Sequence, residues 1–190
     1  MWNDHPDPVA ARLLARGMAA ALGSRATARR RRVLGEPLCM YRVPVPDEHF
    51  VFSVGVSEGA CVVEGRHRRE SALPVTFAVA FRRPQQGNTL EVPELSAAVG
   101  CSVYVPPEGT WPAAASLLLR APVLAEARRI DWTGVVEMSL YDVYVRAVVR
   151  TQDARGVAAQ VRAIQALAHR VCISAPPAAE LVAAAEGGPK

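Results

Sequence analysis

Two adjoining stretches near the C-terminus narrow the folds open to this chain. Residues 135–150, VVEMSLYDVYVRAVVR, hold two short β-forming runs around Tyr141-Asp142. With those two residues as the turn, Leu140 pairs with Val143, Met138 with Val145 and Val136 with Ala147, so one face is apolar throughout. The other face sets Glu137 against Arg146 and Ser139 against Tyr144. Such cross-strand pairs are worth roughly 0.2–1 kcal/mol each, and a slip of one residue would bury Glu137 and Arg146. Residues 153–171, DARGVAAQVRAIQALAHRV, follow. Asp153 is placed to cap a helix in which Val157, Val161, Ile164, Leu167, Ala168 and Val171 share one stripe, with Arg155, Arg162, Gln165 and Arg170 off it. A hairpin with one apolar face and a helix with one apolar stripe can bury each other. They predict an α+β fold, a two-layer sandwich whose mainly antiparallel sheet carries helices on one face.

The rest of the chain fits that plan. Residues 7–23 read as an amphipathic helix, with Asp7 as cap, Pro8 at its first position, Gly23 at its end, and Val9, Leu13, Met18 and Leu22 along the apolar stripe. Gly17 in its middle costs about 1 kcal/mol relative to Ala, so packing has to hold the helix there. The arginine tract that follows reads as a solvated connector or one more helical turn. Residues 38–105 read as strands: 40–45, 49–56, 60–65, 73–81 and 101–105. In 73–81, Val75, Phe77, Val79 and Phe81 lie on one face, and Pro44 and Pro46 mark an edge or a strand end. Residues 111–120 and 122–129 turn helical, broken at Pro122. We divide the chain into a helix and arginine-rich connector (1–36), an α+β core (37–173) and an Ala/Pro-rich tail (174–190) with a short, loosely held helix.

Composition bounds function. A chain of 190 residues that is 51% hydrophobic and 21% charged suits one ordinary globular domain. No apolar run nears the roughly 20 residues needed to span a bilayer. The first residues carry Asp4 and Asp7 and no apolar signal core, so a cytoplasmic protein is expected. Cys39, Cys61, Cys101 and Cys172 are far apart and mostly within apolar runs, which predicts reduced, buried thiols. The net charge is +4, yet residues 1–33 hold seven arginines against two aspartates, so the rest of the chain is net −1. Lys190 is the single lysine, a compositional bias that makes arginine clusters less surprising.

No chemical signature stands out. There is no C-x-x-C, paired histidine, P-loop, dinucleotide-binding glycine pattern or G-x-S-x-G elbow. Glu64 with His67 and Asp47-Glu48-His49 read as loop residues, and His169 as a surface histidine. Cys101 or Cys61 with His169 or His49 is the pairing a nucleophile would need. No metal or cofactor is expected. The candidate site residues are Arg25, Arg29, Arg30, Arg31 and Arg32, because guanidinium forks match phosphate and carboxylate groups. Against nucleic acid, no aromatic residue lies between Trp2 and Tyr41 to stack a base.

The order of elements over residues 7–171 resembles the small chaperones of type III secretion systems. The resemblance implies binding of extended client segments and transfers no site residues. Such chaperones are typically shorter and acidic, whereas this chain is basic at its start and carries extra strand-like sequence. The sequence therefore predicts a non-catalytic, chaperone- or adaptor-like protein that binds another protein through a sheet edge or an apolar helix surface. A homo-oligomer stays open. Nucleic-acid or other polyanion binding through the five arginines is the alternative, and a hydrolase-like enzyme the third.

Overall fold

The computed structural model describes residues 8–33, 36–56, 59–68, 78–82, 89–106, 111–141, 144–151 and 153–186. Helix α1 (Pro8–Leu22) leads into strands β1 (Thr27–Val33), β2 (Glu36–Val45), β3 (Phe50–Val56), β4 (Ala60–His67), β5 (Ala78–Phe81) and β6 (Leu90–Glu91). Helix α2 (Pro93–Val99), strand β7 (Val103–Val105) and helices α3 (Trp111–Leu118) and α4 (Ala121–Ala127) follow. The chain closes with β8 (Val135–Tyr141), β9 (Tyr144–Arg150), α5 (Ala154–Ser174) and α6 (Ala178–Glu186). The strands form one antiparallel sheet in the order β1-β2-β3-β4-β9-β8-β5-β7-β6. The architecture is α+β, with α1 and α5 side by side over the sheet and α4 against α5.

The core follows from strand alternation. Phe52, Val54 and Val56 of β3, Cys61 and Val63 of β4, Val145, Ala147 and Val149 of β9, and Met138 and Leu140 of β8 are all buried. They meet Val157, Val161, Ile164 and Leu167 of α5, each fully buried, as helical spacing predicted. The Asp153 carboxylate accepts the Gly156 N–H at 2.8 Å and caps α5, an interaction worth about 1 kcal/mol. Gly65 faces Phe52 in the ladder, and a Cβ there would stand 2.2 Å from the Phe52 ring, so the ring lies over bare backbone.

Several expectations need correction. The C-terminal hairpin is shifted by two residues: Leu140 pairs with Val145 and Met138 with Ala147, while Ser139 faces Arg146. The expected Leu140–Val143 pair is therefore not made, and residues 142–143 lie outside the described residues. Val136 falls at a bulge between Val135 and Glu137, not in the apolar face. Glu137 and Arg146 still form an ion pair at 2.7 Å. In α1, Val9 and Leu13 are 48% and 60% exposed, and the buried stripe is Ala11, Ala15, Met18, Ala19 and Leu22. Gly17 lies where α1 meets the start of α5: a Cβ there would stand 2.7 Å from the Ala154 Cβ. The segment 93–99, read as part of a run of strands, is helix α2, started by Pro93 and ended by Gly100 at φ 86. The short helix expected in the tail is α6, where Leu181 is fully buried and Glu180 meets Arg120 at 2.8 Å.

The arginine tract is neither a connector nor a helical turn. Residues 27–33 are strand β1, paired antiparallel with β2. Backbone ladders are indifferent to side-chain type, and β2 supplies the complementary ladder. Pro44 sits where β2 has outrun β1, whose pairing reaches only Arg42, so its missing N–H leaves no bond on that side unmade.

Candidate functional site

Strand β2 has two halves with different neighbours. Tyr41–Val45 pairs with β3, whereas among the described residues Glu36–Met40 pairs with β1 alone. The hairpin thus runs past the sheet as a two-stranded arm, about 17 Å long at roughly 3.4 Å per residue. Arg29, Arg30, Arg31 and Arg32 all lie on the arm, opposite Met40, Cys39, Leu38 and Pro37. No carboxylate stands directly across from any of the four in that register. Arg25 is exposed in the link between α1 and β1, apart from the arm's paired residues. β1 is also the outermost strand, and among the described residues no other strand pairs with its far side.

At the opposite end of β2 the chain is anchored. Asp47 follows Pro46 at the start of the turn into β3, and its side chain is 1% exposed. Its Oδ1 accepts the backbone N–H groups of His49 at 2.8 Å and Phe50 at 2.7 Å. Its Oδ2 accepts Gln165 Nε2 and lies 2.5 Å from His169 Nε2, one turn further along α5. The His169 ring also lies 5.5 Å from His49 and 5.2 Å from Phe50 between centroids, and His67 meets Phe50 edge-on at 4.9 Å. Burial raises the Asp47 pKa, but the hydrogen bonds from Gln165, His169 and the two backbone amides outweigh it and hold it below the ordinary 3.8. His169, expected to be a surface histidine, is 27% exposed and joined to a carboxylate. Sequence reasoning had Asp47 and His49 in a loop and His169 on a helix, with no sign that they meet.

This cluster has an oriented histidine but no activated nucleophile beside it. Cys172, one turn beyond His169, lines a shallow pocket with Phe50, Tyr141, Tyr144 and Val171, and burial pushes its thiol up to about 11. Burial likewise raises Cys61 to about 11 and Cys101 to about 12. Cys61, Cys101 and Cys172 are therefore held as neutral thiols at neutral pH, the unreactive form. Among the described residues no group of three His, Cys, Asp or Glu is placed to hold a metal ion. On the open face of the sheet the Tyr144 hydroxyl donates to Glu64 at 3.1 Å, and burial, with the Glu64 charge next, raises its pKa to about 12.

No protein-family model matches the chain, and no curated protein matches it in sequence. Among solved structures it is similar to the mycobacterial trehalose monomycolate transport factor A, TtfA, at a TM-score of 0.62 and 13% identity. The match covers 87% of this chain and 96% of that one. At that identity the likeness is one of fold. Among the described residues, no helix is long and apolar enough to cross a membrane.

Proposed function

We propose that this chain is a non-catalytic, adaptor- or chaperone-like protein that binds another protein along the outer edge of β1. The observation that carries the reading is an edge strand, β1, whose outer row of backbone N–H and C=O groups pairs with no other strand among the described residues. The Asp47 cluster fits a structural role, because the carboxylate is committed to donors from the turn and α5. That the protein of similar fold is called a transport factor is in keeping with action by contact rather than by reaction. Free thiols at Cys61, Cys101 and Cys172 support a reducing, cytoplasmic setting. An element order that resembles that of type III secretion chaperones, as the sequence reads, would suit capture of an extended client. The four arginines also support the alternative reading, a polyanion surface.

Photocrosslinking from Ala28 in native lysate separates the two. A protein crosslinked at that position, and lost when Arg30→Pro breaks the edge, is expected. Crosslinks to nucleic acid alone, or protein crosslinks indifferent to Arg30→Pro, would remove the edge-binding reading. Circular dichroism should show the fold intact in that variant, because the arm lies beyond the sheet.

A further inference from the structure

The charge and register of the arm indicate which kind of segment suits the edge, granted the reading that β1 docks a protein. Positions 29 to 32 are four adjacent cations with neutral residues opposite, and Glu36 stands across from Val33 at the end of the ladder. The hairpin does not neutralise them in register. A strand added to an edge lies about 4.8 Å away, with facing residues close enough for opposite charges to stabilise and like charges to oppose pairing.

That geometry sorts the occupants. A second copy docking edge to edge would face arginine with arginine, and a charged edge of this kind wards off self-association. A segment rich in Asp or Glu meets two of the four cations on whichever pleat parity its carboxylates take, and all four when carboxylates occupy both, because positions 29 and 31 fall on one face of the ribbon and 30 and 32 on the other. Polypeptide suits the site better than nucleic acid, since an amide backbone matches the row of edge groups and residues 3–40 contain no Phe, Tyr or Trp for base stacking. We infer that the outer edge of β1 receives an extended acidic segment of a partner protein by strand addition, its carboxylates set against Arg29 to Arg32.

Fluorescence anisotropy with the full chain tests this. The probes are an eight-residue Glu/Thr peptide, its Gln/Thr counterpart, and the Glu/Thr peptide N-methylated at alternate amides. The Glu/Thr peptide is expected to bind about tenfold or more tightly than the Gln/Thr peptide, and salt should narrow that gap. N-methylation, which keeps the charge and removes the ladder donors, should abolish binding. Replacing Arg29 to Arg32 by Gln should bring the Glu/Thr affinity down to the Gln/Thr level. Equal binding of the Glu/Thr and Gln/Thr peptides, with the N-methylated one inert, overturns the acidic preference and leaves edge docking standing. Equal binding of the N-methylated peptide, or its displacement by a short DNA duplex at lower concentration, makes the arm a plain polyanion surface and overturns the inference. If no peptide binds, edge docking falls with it.

Discussion

The molecule contains two β-hairpins that end differently. β8–β9 lies in the middle of the sheet with Met138, Leu140, Val145 and Ala147 sealed beneath α5. β1–β2 begins at the sheet's margin and runs out beyond it, with its arginines facing neutral partners. The first hairpin is held by what it buries. The second is held by its backbone ladder and by the anchored end of β2. The contrast separates two tasks: apolar burial makes the scaffold rigid, and a segment freed from burial is available for contact.

The largest way to sharpen this contrast is in the core. Ile164→Ala should cost about 2–5 kcal/mol, read as a fall in the denaturation midpoint at unchanged slope. A cost under 1 kcal/mol would mean that α5 does not seal the central hairpin. Next is the anchor of β2. Asp47→Ala leaves His169 and two backbone amides without their acceptor and removes one of the two acceptors of Gln165 Nε2, which keeps the Pro46 carbonyl, a loss of about 1–3 kcal/mol. The pH dependence has a definite sign. Because the folded pKa of Asp47 lies below 3.8, its contribution is fully present above the unfolded value and is lost as pH falls through the folded one. Stability measured between pH 5 and 2 should therefore fall less steeply in Asp47→Asn than in the parent. The smallest effect belongs to the arm. Gln at positions 29 to 32 should leave thermal stability within about 0.5 kcal/mol of the parent, whatever it does to binding. A larger loss would place those arginines in the scaffold.

What sequence reveals follows the same division. The stripe of α5 was legible because Val157 to Val171 repeat at helical spacing and the helix buries that stripe. The faces of the C-terminal hairpin from Glu137 onward were legible, but its register and the bulge at Val136 were not, since a slip of two residues keeps a side chain on its own face. The buried stripe of α1 was misjudged because Val9 and Leu13 outweigh alanines in hydrophobicity, whereas the face that is buried carries Ala11, Ala15 and Ala19 beside Met18 and Leu22. Pro93, Glu94 and Gly100 were readable helix signals inside a run taken for strands. The arm hid because arginine marks no strand, and its ladder depends on a partner segment. In the anchor, Gln165 and His169 share a helix face by their spacing alone. Nothing local announces that their acceptor is Asp47, more than a hundred residues earlier.

Strand β2 is continuous from the arm to Val45, and Asp47 lies two residues beyond. A tug on a captured segment would therefore be transmitted along one taut backbone to a fastening on the longest helix, with the intervening sheet bracing it from the side. On that reading the arm would serve as a handle whose root is held at Asp47.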